Sequence, residues 1–380
     1  MKYIDEFRDG AMAKRLAGRI RDAVQPGHRY HLMEFCGGHT HAIYRYGVQD
    51  LLPDEVRMIH GPGCPVCVLP IGRLDMAIAL AARAEVILCS YGDMLRVPGS
   101  GGQSLIKARG QGSDIRMVYS AADALELARQ HPDRQIVFFA IGFETTTPPT
   151  AVAIRAASAE ELGNFSVLCN HVLTPAAVAN ILDSPDAREV GNVPIDGFLG
   201  PAHVSIVIGT EAYERFAEGY RKPVVISGFE PLDVMQSIHM LMLQINDGRA
   251  EVENQYIRAV TRLGNVKAQG IVAEVFNTRR EFEWRGLGIV PDSALKIREE
   301  FAQFDAESRF SLHYVPVADN RACACGLILR GVAEPTDCKL FGRACTPESP
   351  MGSCMVSSEG ACAAYYQYGR FRNAATPAQV

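Results

Sequence analysis

Val56-Arg-Met-Ile-His60-Gly-Pro-Gly-Cys64-Pro-Val-Cys67 joins a short apolar run to a glycine-proline turn and a cysteine pair, and helix-like spacing follows over Gly72–Ala84. Five residues between turn signals are too few for a helix, so the stretch reads as a buried strand running into one. Working outward, the unit recurs. His31–Phe35, Glu85–Cys89, Ile115–Tyr119, Ile136–Gly142, Ser166–Asn170, Gly197–Gly200 and Val224–Ser227 are further strand candidates. Ala121–Gln130 and Thr174–Leu182 are helix-like, as is Asp5 to Gln25, with Phe7, Met12, Leu16 and Ile20 on one face. Short buried strands alternating with helices predict parallel sheets covered on both faces.

Gly61-Pro-Gly-Cys64 resembles Gly200-Pro-Ala-His203, and Val86-Ile-Leu-Cys-Ser90 resembles Val224-Val-Ile-Ser-Gly228, at offsets of 139 and 138. Two matches at nearly one offset suggest two related halves, with chance similarity between buried strands as the plain alternative. Past Ala250 the alternation fades; Gln255–Gly264 and Ala294–Phe304 look helical, with little strand signal. From Val315 on, Gly, Pro and Cys dominate. The expected architecture is α/β: two related doubly wound domains with parallel sheets plus a C-terminal loop- and helix-rich iron–sulfur module. Its divisions are an N-terminal helix (1–30), a first α/β domain (31–125), a second (126–255) and the C-terminal module (256–380).

At 380 residues and 48% hydrophobic content the chain can bury a large core, and a net charge of −5 offers no attraction for nucleic acid or an anionic membrane. The charged start and the lack of an 18-residue apolar run make the cytoplasm the expected location. There a dense cysteine cluster serves metal or redox chemistry rather than a disulfide framework.

Cys64 and Cys67 sit at a strand-to-helix turn, where backbone N–H groups favour a thiolate. Their spacing suits a redox dithiol or half a zinc site; no second CxxC completes the latter. Glu34-Phe-Cys36-Gly-Gly-His39-Thr-His41 ends another strand. Cys36 with His39 or His41 reads as an activated nucleophile or a metal-ligand pair, or as a half-buried cysteine beside a surface histidine. In a doubly wound sheet the two turns share the carboxyl edge, where ligands bind. Gly142-Phe-Glu144-Thr-Thr-Thr147-Pro148 offers a carboxylate and hydroxyls for ligand or partner contact, or simply a helix start. Neither a P-loop nor a dinucleotide fingerprint is present. Cys89 and Cys169, inside apolar runs, read as core residues, and His60 and His203 as structural groups at strand ends. Residues 323–362 hold six of the eleven cysteines. An iron–sulfur cluster needs four thiolates, so a cluster plus a dithiol uses all six; zinc usually brings paired CxxC knuckles, absent here.

Met33-Glu-Phe-Cys-Gly-Gly-His-Thr-His41, Gly61-Pro-Gly-Cys-Pro-Val-Cys67, Gly142-Phe-Glu-Thr-Thr-Thr-Pro148 and Cys338-Lys-Leu-Phe-Gly through Glu359-Gly-Ala-Cys362 together resemble the HypD family of hydrogenase maturation factors. The resemblance covers nearly the whole chain. It implies a scaffold on which the Fe(CN)2CO unit of [NiFe] hydrogenases is built with a HypC-type chaperone and a HypE-type cyanide donor supplied by HypF. On this chain it implies iron held at Cys36, a redox pair at Cys64 and Cys67, and a [4Fe-4S] cluster on Cys323, Cys338, Cys345 and Cys362. Cys325 and Cys354 are then the second dithiol, by similarity to ferredoxin:thioredoxin reductase, and electrons are expected to pass from the cluster through both pairs to Cys36. The competing readings are a freestanding cluster-dependent disulfide reductase and a zinc-stabilised binding protein.

Overall fold

The computed structural model describes residues 5–183 and 195–369. The eight expected strands form, with ends shifted by at most two residues: β1 (Tyr30–Glu34), β2 (Val56–His60), β3 (Val86–Ser90), β4 (Ile115–Met117), β5 (Gln135–Gly142), β6 (Phe165–His171), β7 (Gly197–Pro201) and β8 (Val224–Ser227). β9 (Val252–Asn254), β10 (Phe276–Trp284) and β11 (Gly288–Ile297) were not foreseen. One sheet runs β2-β1-β7-β8-β9 and another β4-β3-β5-β6, with every neighbouring pair parallel. Renumbered within each sheet the orders are 2-1-3-4-5 and 2-1-3-4, the doubly wound pattern. Connections diverge between β1 and β7 and between β3 and β5, opening a crevice at each carboxyl edge.

The sheets cut across the expected division at 125/126. The first takes β1 and β2 from one segment and β7, β8 and β9 from the other, and the second takes β3 and β4, then β5 and β6. The repeat fares the same way: β2 and β7 share a sheet, whereas β3 and β8 do not. Parallel pairing joins strands distant in sequence, so similarity between short buried strands carries no record of which sheet each enters.

Helix α1 (Gly10–Asp22) is shorter than expected because Asp9 caps it, its side chain accepting from Met12 N–H at 2.8 Å. It buries Leu16, Ala17 and Ile20 while Met12 stays exposed. Gln255–Gly264 is a run of turns rather than a helix, held where Asn254 Nδ2 donates to Val260 O at 2.8 Å and Arg258 pairs with Asp233. Ala294–Phe304 divides into the end of β11 and a 3-10 turn, Glu299–Phe304. β10 and β11 form an antiparallel hairpin with a register shift between Arg279 and Glu281. That bulge breaks the period-two pattern, and within β10 only Phe276, Phe282 and Trp284 are buried, which hid the strand. From residue 315 the chain is loop-rich, with short helical pieces such as Cys325–Leu329, Ser353–Met355 and Ala361–Ala364. The tail after Arg372, expected to fray, lies outside the described residues.

Candidate functional site

β1 and β2 are hydrogen-bonded neighbours running the same way, so the turns after them meet at one sheet edge. Cys36 ends the first turn and begins helix α2 (Gly37–Tyr46); Cys64 begins the short helix α3 (Pro65–Val68). The turns touch through their main chains, with Gly37 N–H donating to Gly63 O at 2.9 Å. A Cβ on Gly63 would lie 2.3 Å from Cys36 N, so only glycine allows this approach. Gly37 is held the same way, its missing Cβ falling 2.3 Å from Glu359 Cβ.

Glu34, fully buried at the end of β1, organises the site. Its carboxylate accepts from Cys36 N–H at 2.9 Å, His60 Nδ1 at 2.7 Å and the Thr40 hydroxyl. Burial, then the carboxylates of Glu359 and Glu34, push the Cys36 thiol far up, against the Gly38 and His39 N–H groups at the start of α2. This environment favours the neutral thiol of Cys36 over its thiolate.

His39 is buried, and its Nε2 lies 2.9 and 3.1 Å from the carbonyls of Ser227 and Gly228 at the end of β8. Carbonyls only accept, so Nε2 carries the hydrogen and Nδ1 the lone pair. Nδ1 has no hydrogen-bond partner. Burial holds His39 below the ordinary imidazole value, hence neutral. Its ring stacks on Phe229 at 4.8 Å, and His203, after β7, packs on the same ring at 4.1 Å. His41 turns instead toward Tyr368.

Cys64 and Cys67 are buried and joined as a disulfide, with Cα atoms 5.2 Å apart. Ser353 Oγ donates to Cys67 O at 2.8 Å, so the pair rests against the C-terminal module one residue from Cys354. There Cys323, Cys325, Cys338, Cys345, Cys354 and Cys362 line one cavity of about 10 Å³ beside Gly352. Cys325 and Cys354 have sulfurs 2.6 Å apart. Four of these thiols are pushed above the ordinary value: Cys362 by burial, Cys323 by its hydrogen bond with Cys325 and then burial. At Cys325 and Cys354 a thiol hydrogen bond favours the thiolate, but burial outweighs it. The buried Arg285 opposes the rise in Cys323, Cys325 and Cys354 only weakly. Among the described residues no three His, Cys, Asp or Glu groups stand in a metal-holding arrangement. The cavity thus shows a soft donor set that fits an iron–sulfur cluster in chemistry and number, not a formed ligand shell.

Cys89 and Cys169 are buried in β3 and β6. Glu144 turns inward between β5 and the helix Thr174–Asp183, accepting from Thr174 N–H and Oγ1, both at 2.8 Å. It serves as that helix's N-terminal acceptor, and burial pushes its carboxyl up to about 7. Thr146, at the start of the preceding helix Thr147–Ala159, makes no capping bond. Glu34, Phe229, Arg285 and Ser353 were missed by the sequence reading. An acid closing an apolar strand was the available signal for Glu34; the other three act through contacts distant in sequence. Among the described residues no helix is long and apolar enough to cross a membrane.

The fold and site define an α/β protein in which a cysteine–histidine turn, a CxxC disulfide and a six-thiol cavity form one connected centre. The HypD family model, described as the hydrogenase formation hypA family, matches residues 11–369. The chain is 68% identical to the hydrogenase maturation factor HypD of Cupriavidus necator over 98% of both chains, and 67% identical to that of Rhizobium leguminosarum bv. viciae over 98% of this chain and 97% of the relative. It is 44% identical to the Escherichia coli (strain K12) factor over 97% of this chain and 98% of the relative. The chain belongs to the HypD family, and its role is in hydrogenase formation.

Proposed function

We propose that this chain is a redox-active scaffold of the cytoplasm on which an iron fragment bearing cyanide and carbonyl ligands is assembled, with a HypC-type chaperone and a HypE-type cyanide donor. The carrying observation is continuity: Gly37 N–H bonds Gly63 O, joining the Cys36 and CxxC turns, and Ser353 Oγ bonds Cys67 O beside Cys354.

The iron is cargo. Cys36 supplies a thiolate once the metal displaces its proton, and the His39 Nδ1 lone pair is a second buried donor on the same turn. Glycines at 37 and 38 let Glu359 and Phe229 pack directly against the turn. Glu34 holds Cys36 and His60 in place, while Phe229 supports His39 from the facing strand end. Cys323, Cys338, Cys345 and Cys362 would hold a [4Fe-4S] cluster, which supplies single electrons when bound. The Cys325/Cys354 thiols can reduce the Cys64–Cys67 disulfide by exchange: two protons and two electrons pass to the CxxC pair and a Cys325–Cys354 disulfide forms.

Mössbauer spectroscopy of the protein, produced anaerobically in 57Fe with its chaperone, tests the reading. A cluster signal plus a separate low-spin ferrous site is expected, and Cys36→Ala should lose only the second. A cluster alone, with substrate disulfides turned over without any chaperone, would replace the scaffold by a disulfide reductase. No iron would favour a zinc-stabilised binding protein.

A further inference from the structure

Outside the thiol centre, the Gly99–Ser104 loop and the Pro347–Met351 segment enclose a cavity of about 730 Å³. Its wall includes Arg96, Gln103, Lys107, Arg285, Asn320 and Met351. Three of its lining residues are cationic and one, Glu348, is acidic.

Arg285 is the informative one. Its side chain is 4% exposed, and one carboxylate, Asp319, lies 2.6 Å from its Nε. Nη1 is buried without a hydrogen-bond partner. A buried donor left unpaired is unfavourable, most of all on a charged group. The Arg285 backbone is fixed, with its main-chain N–H donating to Val68 O at 2.7 Å and Gly286 packed on Gly326. Arg96 also lines the cavity, held by the carbonyls of Val356 (3.0 Å) and Pro347 (3.5 Å), and the exposed Lys107 reaches the Gly102 carbonyl. A roomy cavity with fixed cations and a buried guanidinium edge lacking an acceptor is complementary to an oxyanion.

We propose that this cavity binds a small molecule bearing a carboxylate or phosphate, its oxygens accepting from Arg285 and drawn in by Arg96 and Lys107. Arg285 also lies within electrostatic reach of Cys323, Cys325 and Cys354, so the variant at Lys107, away from the thiols, separates anion binding from the thiol centre. The site is tested by calorimetric titration of the full-length protein at low salt with inorganic phosphate and, separately, succinate. Binding of at least one anion is expected. Lys107→Glu, at an exposed position that leaves the core intact, should weaken it roughly tenfold or more, as reversing a charge on the cavity lining requires. Arg285→Gln should abolish it. Phosphate alone would assign phosphate esters, succinate alone carboxylic acids, and both together unselective oxyanion recognition; each supports the site. No binding of either anion, or unchanged binding in both variants, would overturn it.

Discussion

Replacing Glu144 by glutamine should make the protein more stable in mild alkali while leaving it unchanged in mild acid. Burial raises this carboxyl from 4.5 to about 7 in the folded chain. A raised carboxyl binds its proton more tightly folded than unfolded. Its contribution is fully present below pH 4.5 and lost as pH climbs through about 7. The shift corresponds to about 3 kcal/mol, of which about 2–3 kcal/mol falls between about pH 5 and pH 8. Glutamine is neutral throughout and shape-matched. Its carbonyl can accept from Thr174 N–H, and its amide can donate to Thr174 Oγ1, whose hydroxyl turns from donor to acceptor. His171 complicates the raw curve: burial lowers it from 6.5 to about 4, so its neutral form loses stability as pH falls through that window. That term is common to both proteins and cancels in their difference. Urea unfolding at several pH values should show the curves meeting near pH 5 and separating by about 2–3 kcal/mol near pH 8, glutamine higher. Parallel curves, or a glutamine variant less stable at pH 8, would refute the assignment of a buried, proton-holding carboxyl.

Gly63→Ala forces a Cβ to 2.3 Å from Cys36 N; the backbone must yield, so we expect a loss of about 1–3 kcal/mol by chemical unfolding together with a weakened low-spin iron signal. An equally stable variant with full iron would show that the two turns need not touch. Cys64→Ser should leave cluster absorption intact while stopping hydrogenase maturation in cells, and normal maturation would sink the dithiol's role. Ser353→Ala removes the 2.8 Å bond to the Cys67 carbonyl and should cost about 1 kcal/mol. It should also slow equilibration between the Cys325/Cys354 and Cys64/Cys67 pairs, followed by timed alkylation and mass spectrometry; an unchanged rate would detach the serine from thiol exchange.

Runs such as Val86–Ser90 and Val224–Ser227 were readable because a strand buried on both faces needs an unbroken apolar stretch between turns, and that demand is local. The thiol inventory was equally readable at the level of residue type. Six thiols within residues 323–362 and a CxxC after a glycine turn are visible in the residue order alone. The β10–β11 hairpin escaped because its bulge and charged face erase the alternation on which strand reading depends. Sheet membership escaped for a different reason. Nothing in β1 names β7 as its neighbour, since that pairing is set by how intervening helices cover the sheet. The site's supporting groups belong to the same class: Ser353 reaches Cys67 across 286 positions, and His39 takes its tautomer from carbonyls at Ser227 and Gly228. The sequence by itself determined the first eight strands, the thiol inventory and the glycine turns, because each follows from short-range sterics and composition. Which turns touch, which nitrogen of His39 keeps its lone pair and which guanidinium is left without an acceptor were decided only by tertiary packing, where partners far apart in the chain compete for the same buried groups.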